Sequence, residues 1–201
     1  EGVYTADPRL VPGARLLSEL SYVEMLELSA LGAKVLQGRA AELAAKNRVR
    51  LRIRSSFASG AGTLLVDEEQ AMENPSVRGL AYSTSEARAT VRGLPNRPGV
   101  ARAVFAALDD ADVNVDLIVQ TAIERSQVVD ITFTLSRGDM DRARAALEGL
   151  PEEFSFERVS WDDKVAKISA VGIGMRSHSG VARKLFDALA AGGVNIEAIS
   201  T

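Results

Sequence analysis

The pattern of apolar and polar positions divides the chain into short strands and amphipathic helices. In residues 86–93, "EARATVRG", apolar side chains alternate with arginine and threonine, which predicts a half-buried strand. The stretch "LPNRPG", residues 94–99, interrupts this pattern with two prolines and a glycine. Apolar residues then recur at helical spacing and predict a helix with one apolar stripe, formed by Val100, Ala101, Val104, Phe105 and Leu108.

The next segments complete a compact motif. "VNVDLIVQ" and "QVVDITFTL" predict a second and a third strand, and "FSFERVSW" predicts a fourth. Between the third and fourth strands, Asp139 is placed to cap a helix with an apolar face of Met140, Ala143 and Leu147. The resulting order βαββαβ is that of the ferredoxin-like fold.

Part of this motif occurs twice. Gly99–Gln120 aligns without a gap on Gly180–Thr201, and 10 of the 22 positions are identical. The second copy starts with the predicted strand "KVAKISAVGIG", continues with a helix, and ends in "VNIEAIST", which predicts another strand. The sequence therefore predicts a second, incomplete ferredoxin-like unit.

The first third of the chain has a different character. "SYVEMLELSALGAKVL" predicts a helix that begins with a Ser21–Glu24 capping box, and its apolar positions are Val23, Leu26, Leu28 and Leu31. "GRAAELAAKN" predicts a second helix, and "RVRLRIRSSF" predicts a strand with one basic face. That face suits either phosphate binding or solvent and interface contacts, and we favour the latter. The whole chain is thus of mixed α/β and α+β class.

Composition limits the functions to consider. The 201 residues carry a formal net charge of −3, which gives no reason to expect binding to nucleic acid or to an anionic membrane. The absence of cysteine favours a reducing cytoplasm as the location. His178 is the only histidine and has no neighbours with metal-ligand spacing, so we interpret it as part of a loop and predict no metal site.

Both repeats combine a small-residue loop with polar residues at the start of the next strand. Gly99 and Gly180 precede the helices, where unpaired backbone N–H groups favour a carboxylate. Asn114 with Asp116, and Asn195 with Glu197, suit an ammonium group, so together these features predict a pocket for a free amino acid. The alternative is that each glycine serves only a turn and that the polar residues merely begin an ordinary strand, without a ligand. The residue types alone favour that alternative, and their duplication supports the pocket.

The stretches "NRPGVARAVFAALDDADVNVDLIVQ" and "GMRSHSGVARKLFDALAAGGVNIEAIST" resemble the paired ACT domains of the aspartate kinase family. In that family the ACT pair binds end-product amino acids, lysine and threonine, inhibits the kinase, and forms much of the dimer interface. The resemblance implies these effector-binding residues: Asn96, Pro98, Gly99, Val100, Ala101, Asn114, Val115, Asp116, Gln120, Ser177, His178, Gly180, Val181, Asn195, Ile196 and Glu197.

A second resemblance covers the start of the chain. "GVYTADPRLVPGARLLSELSYVEMLELSALGAKVL" is similar to the C-terminal part of the aspartate kinase catalytic domain, which has the amino-acid kinase fold. It implies ATP-binding roles for Tyr4, Arg9, Lys34 and Val35, with ATP bound as its magnesium complex and no tightly bound cofactor. Tyr4 suits stacking on a purine, and the Arg9 guanidinium suits phosphate oxygens. The alternative for "TADPR" alone is an Asp-Pro turn.

These resemblances imply a domain order. The kinase part spans 1–66, a linker spans 67–76, the first ACT domain spans 77–160, and the partial second ACT domain spans 161–201; the segment 77–82 is a candidate strand of the second ACT domain. The family's catalytic lysine and aspartate-binding residues lie upstream of "VYTADPR", so these 201 residues lack the catalytic centre.

Two functions follow from the resemblance. The first is an aspartate kinase, which phosphorylates the side chain of L-aspartate in the first step toward lysine, threonine and methionine. The alternative is a non-catalytic regulatory ACT subunit that partners a catalytic chain. A homodimer or a hetero-oligomer through ACT domains is expected in either case. A bifunctional kinase–dehydrogenase is a third interpretation, for which the sequence contains no dehydrogenase segment.

Several positions depart from the family pattern near the effector pocket. Asn96 stands where the family tends to have aspartate, Thr121 and Ile123 replace polar positions, and Ser179 replaces a proline. Loss of the aspartate removes a partner for an effector ammonium. We therefore expect a weak response to lysine or threonine, or a different effector.

Overall fold

The computed structural model describes residues 2–57, 59–68, 77–122, 127–172 and 180–200. The chain forms two compact units, one built from residues 1–83 and 168–199 and the other from residues 84–167. Two long strands, β4 (Gly79–Pro95) and β7 (Arg158–Val171), run through both units. No helix in the described ranges is both long and apolar enough to span a bilayer.

The first unit contains a small mixed sheet with two helices. Its elements are β1 (Glu19–Ser21), α1 (Tyr22–Ala30), α2 (Gly38–Lys46), β2 (Leu51–Ile53) and β3 (Thr63–Val66). The strand order is β1-β3-β2, with β1 parallel and β2 antiparallel to β3. Leu20 and Leu65 of the sheet are buried with Met25 and Leu28 of α1.

The predicted capping box at the start of α1 is confirmed. The hydroxyl oxygen of Ser21 accepts a bond from the N–H of Glu24, and the Glu24 carboxylate accepts one from the N–H of Ser21. Two details of this prediction are wrong. The helix ends at Ala30 rather than near residue 36, and Val23 is exposed, because Tyr22, Met25 and Leu28 form the buried face.

The predicted strand "RVRLRIRSSF" is much shorter in the structure. Only Leu51–Ile53 pair with β3, and the chain before and after them leaves the sheet. Ile53 packs against the core of this unit, whereas Val49 is exposed. The alternation of apolar residues and arginines therefore extends beyond the residues that pair in the sheet.

The first unit also holds the start of β4, the end of β7 and helix α5 (Val181–Ala191). The N–H of Arg78 donates to the carbonyl oxygen of Val171 at 2.8 Å. The strand predicted in "VNIEAIST" is wrong for residues 194–200, which form no strand. A strand requires a hydrogen-bonded neighbour, and none of the described residues supplies one for this segment.

The second unit has the predicted ferredoxin-like elements. They are the later part of β4, α3 (Val100–Asp110), β5 (Val115–Ala122), β6 (Val128–Ser136), α4 (Met140–Glu148) and β7. The sheet order is β5-β6-β4-β7, so β5 lies at an edge. One core joins sheet and helices, and its largest buried residues include Phe133, Leu94, Leu108, Ile131, Leu135 and Leu147.

Two local predictions in this unit are wrong. Asp139 occupies the position before α4, but its carboxylate makes no capping bond and instead accepts one from Arg142 at 2.5 Å. The fourth strand begins at Arg158, because Glu152–Phe154 form a turn of 3-10 helix before it. The ion pair between the Asp139 carboxylate and the Arg142 guanidinium takes the place of the capping bond, because hydrogen bonds between two charged groups are the stronger ones.

Candidate functional site

Tyr4 and Arg9 lie on a loop that folds back against residues 15–17. Tyr4 forms a β-bridge with Leu16, and the N–H of Leu17 donates to the carbonyl oxygen of Val3 at 2.9 Å. At the tip, the N–H groups of Leu10 and Val11 both donate to the carbonyl oxygen of Asp7. The loop is therefore closed by its own backbone bonds and presents Arg9 to solvent.

Thr63 of β3 fastens both arms of this loop to the sheet. Its Oγ1 accepts a bond from the N–H of Val3 at 2.8 Å and donates one to the carbonyl oxygen of Leu17 at 2.6 Å. The residue is fully buried. Nothing in the neighbouring sequence pattern marks this threonine as a tether, so its role could not be predicted from the sequence.

Arg9 is oriented by Asp7. The carboxylate of Asp7 accepts bonds from Nε of Arg9 at 3.0 Å and from its Nη2 at 2.7 Å. These bonds lower the pKa of Asp7 to about 2, and the same contact raises the pKa of Arg9. A guanidinium has five N–H groups. The Asp7 contact leaves the others available to an anion such as phosphate, on a side chain that is 84% exposed.

Tyr82 of β4 contacts both segments that carry predicted ATP-binding residues. Its hydroxyl donates to Oδ2 of Asp7 at 3.4 Å. Its carbonyl oxygen lies beside Gly32, where an added Cβ would come within 3.1 Å. Gly32 begins the turn that carries Lys34 and Val35, both of which are exposed. These contacts of Tyr82 could not be predicted from the sequence, because an alternating strand pattern does not reveal long-range contacts.

The predicted effector loop of the first repeat leads into α3. Gly99 has a φ of 97°, which favours glycine, and precedes the helix without a side-chain cap. The guanidinium of Arg97 lies over the ring of Phe154, 4.8 Å from its centroid. Asn96, Pro98 and Gly99 are exposed, whereas Val100 is buried and Ala101 half-buried. The backbone of this loop is thus accessible to a ligand.

The strand residues of the predicted pocket lie at the other end of the sheet. Val115 is opposite Leu135, which is opposite Ala87, whereas Ala122 is opposite Val129, which is opposite Leu94. Residues rise about 3.3 Å each along a strand, so these two levels are roughly 20 Å apart. Within one repeat, Asn114 and Asp116 therefore do not meet the Asn96–Ala101 loop, and a pocket that combines the two needs a second ACT domain or a second copy of the chain.

The strand residues also differ in their surroundings. Asn114 is exposed and Val115 half-buried. The carboxylate of Asp116 is bound by the ammonium group of Lys167 on β7. Gln120 is exposed and lies opposite Ile131 of the core, near the level of the effector loop.

The second repeat is described only in part. Gly180 has a φ of 93° and precedes α5, and Val181 is half-buried. The side-chain amide of Asn195 donates to Oε1 of Glu197 at 3.2 Å, and Ile196 is exposed between them. The predicted residues Ser177 and His178 lie outside the described residues, as do Ile123 and Ser179.

A cavity of about 280 Å³ lies on the small sheet and contains none of the predicted site residues. Glu19, Tyr22, Arg48, Arg50 and Asp67 line it together with β3. Across the described ranges, histidine and acidic side chains form no group of three or more that could hold a metal ion.

Comparison with known proteins matches three segments. Residues 1–55 match the amino acid kinase family, and residues 89–152 and 168–201 each match an ACT domain. An aspartate kinase of Pseudomonas putida is 46% identical over 202 residues, which cover the whole chain and 49% of that relative. The chain thus spans about half the length of the curated relatives it matches.

Two solved structures extend the comparison. The regulatory subunit of aspartate kinase from Thermus thermophilus is 34% identical, with a TM-score of 0.58, over 63% of this chain and 83% of that one. Aspartokinase III of E. coli, in complex with lysine and aspartate, is 27% identical, with a TM-score of 0.73, over the whole chain and 43% of that one. The chain belongs to the aspartate kinase family, with amino-acid kinase sequence followed by ACT-domain sequence.

Proposed function

We propose that the protein containing this chain is an aspartate kinase, which transfers the γ-phosphate of MgATP to the side-chain carboxylate of L-aspartate. The observation that carries the proposal is the similarity to aspartate kinase over the whole length of the chain, kinase part included. The proposed pathway is the synthesis of lysine, threonine and methionine in the cytoplasm.

In this proposal a few residues near the start of the chain bind the nucleotide, and none of them performs the phosphoryl transfer itself. Tyr4 stacks on the adenine, and Arg9, oriented by Asp7, donates its remaining N–H groups to phosphate oxygens. Lys34 and Val35 border the nucleotide from the neighbouring turn. Magnesium enters with ATP, as part of the substrate. The catalytic lysine and the aspartate site belong to residues upstream of this segment.

The test is phosphoryl transfer by the full-length gene product. The protein is incubated with MgATP, L-aspartate and hydroxylamine, which traps 4-phosphoaspartate as its hydroxamate. We expect aspartate-dependent ADP and hydroxamate in equal amounts. ADP without hydroxamate, or no turnover from a folded protein whose mass shows the whole kinase domain, would contradict the proposal.

We further propose that an amino acid, lysine or threonine, binds the ACT region and regulates the kinase. The loop half and the strand half of the predicted site lie at opposite ends of the sheet within one copy, which supports a site formed between two copies. Strand β5 lies at a sheet edge, and its midpoint is near Ile118, which is exposed. If two β5 strands pair antiparallel about that point, residues 114–116 of one copy come level with residues 120–122 of the other. Those residues lie toward the end of the sheet that carries the Asn96–Ala101 loop, so each pair of copies would complete two sites.

A second candidate is a regulatory subunit without kinase activity. It is favoured by the match to a chain of that kind, of which this chain covers 83%. The amino acid kinase match over residues 1–55 favours the kinase instead. The mass of the natural product separates the two, because a kinase of the relatives' length would have about twice the mass of these 201 residues.

A further inference from the structure

Three charged side chains form a cluster on the face of the second unit's sheet opposite its helices. The ammonium group of Lys167 on β7 binds the carboxylate of Asp116 on β5 and lies 3.9 Å from Oε1 of Glu86 on β4. The side chains of Lys167 and Glu86 are 24% and 15% exposed, so this part of the cluster is largely shielded from water. The cluster carries one net negative charge.

A β-bulge fixes the position of Asp116 in this cluster. Val115 pairs with Leu135 and Ile118 with Phe133, so β5 has one more residue than β6 across this interval. The N–H of Leu117 donates to Oγ1 of Thr134 at 3.1 Å, which satisfies a group that the bulge removes from the backbone ladder. Bulges redirect side chains and are frequent beside functional sites.

We propose that Lys167 is an affinity-setting residue of the effector site, whose built-in ammonium group competes with the ammonium group of the ligand for Asp116. The inference rests on the proposed function, in which Asp116 binds the amino group of the effector. In the free protein that carboxylate is already neutralised by Lys167. A ligand must therefore displace Lys167 or share the carboxylate with a like charge.

Glu86 gives the displaced ammonium group a second partner. Lysine has a flexible stem, and Oε1 of Glu86 is already within 3.9 Å of Nζ. Binding of the effector would therefore move Lys167 from Asp116 toward Glu86. The cluster as a whole would then be neutral, with each carboxylate facing one ammonium group.

This exchange makes opposite predictions for two variants. Lys167→Met frees Asp116 and leaves two uncompensated carboxylates, so the affinity for an ammonium ligand should rise on the order of tenfold, the equivalent of one charge-assisted hydrogen bond. Glu86→Gln keeps Lys167 on Asp116 without an alternative partner, so the affinity should fall several-fold. A purely structural role for Lys167 would weaken binding in both variants.

The experiment is calorimetric titration of the full-length protein with L-lysine and with L-threonine. Lys164→Met is the matched control, because Lys164 is an exposed lysine of the same strand. We expect tighter binding in Lys167→Met, weaker binding in Glu86→Gln, no change in Lys164→Met, and loss of the gain in the double variant Lys167→Met/Asp116→Asn.

The outcomes separate this inference from the proposed function. Binding by the wild type, with Lys167→Met unchanged or weaker, overturns the role of Lys167 and leaves the effector site standing. A gain that survives Asp116→Asn also overturns it. The absence of binding by the wild type and by every variant overturns the effector site itself, and the inference with it.

Discussion

The tether formed by Thr63 gives the sharpest test of how the fold supports the nucleotide loop. Substitution Thr63→Val keeps the shape of the side chain and removes its hydroxyl. The N–H of Val3 then loses its acceptor and the carbonyl of Leu17 loses its donor, both at a fully buried position. A buried polar group left without a partner costs about 1–3 kcal/mol, so with two such groups we expect the loop to be destabilised by about 2–6 kcal/mol.

Native-state hydrogen exchange of residues 2–17 measures this effect locally. A loss of about 2 kcal/mol raises the exchange rate of the loop amides roughly thirtyfold. Thr63→Ser is the control, because it keeps both bonds and removes only a methyl group, at a cost of about 1 kcal/mol. In the full-length kinase, Thr63→Val should also raise the KM for ATP more than the KM for aspartate.

The reasoning would be refuted if the two variants exchanged at the same rate. Equal rates would mean that the hydroxyl contributes no more to holding the loop than the methyl group does. Faster exchange confined to residues far from the loop would equally contradict a local tether.

Three further predictions concern single positions. Because Arg9 lowers the pKa of Asp7, their contact stabilises the fold above the ordinary pKa of 3.8 and is lost as pH falls toward 2, so carboxyl NMR should give a midpoint of about 2 for Asp7. Arg9→Gln should raise that midpoint toward 3.8 but not fully to it, because the backbone N–H of residue 9 still donates to the carboxylate; equal midpoints would contradict the pairing. Phe133→Ala should lower the free energy of unfolding by about 3–5 kcal/mol, because Phe133 is fully buried. Urea unfolding followed by the fluorescence of Trp161, which packs on the same core, measures this loss. Phe57→Ala is the control and should cost less than about 0.5 kcal/mol, because Phe57 is 99% exposed. Gly62 has a φ of 64°, and an added Cβ would lie 2.1 Å from the carbonyl oxygen of Ile53. Gly62→Ala should therefore lower the melting temperature by several degrees. Gly13→Ala is the control and should leave the melting temperature unchanged, because the space around Gly13 is open.

Much of the second unit could be predicted because local patterns and tertiary packing agree there. The alternation through Ala87, Ala89 and Val91 marks residues that are fully buried, and the stripe of α3 contains Val104 and Leu108, which face the same core. These strand and helix residues all pack into one core, so the period of the sequence and the burial of the side chains coincide.

The errors fall where pairing or a competing contact decides the structure. The sequence of "VNIEAIST" suits a strand, but a strand depends on a partner that its own residues do not specify. Asp139 suits a cap, but Arg142 competes for its carboxylate.

The candidate site shows the same limit on a larger scale. The residue types at Gly99, Asn114 and Asp116 follow from the sequence, whereas their separation depends on the β4–β6–β5 register and on the bulge at Asp116 and Leu117. Tyr82 and Thr63 act through contacts with residues 75 and 60 positions away, for which a single sequence carries no signal. The domain boundaries and the effector-binding roles stay predictions.

The central claim is that one effector site needs two copies of the chain, and mixing two variants tests it most directly. Gly99→Val alters only the loop half of the site and Asp116→Asn alters only the strand half, so each variant alone should bind little lysine or threonine. After unfolding and refolding together in equal amounts, half of the dimers are mixed, and each mixed dimer has one unaltered site. Calorimetry should then recover roughly one quarter of the wild-type sites, at wild-type affinity. No recovery from a mixture in which mixed dimers have been demonstrated would contradict the claim, because a site inside one copy would carry a defect in every chain.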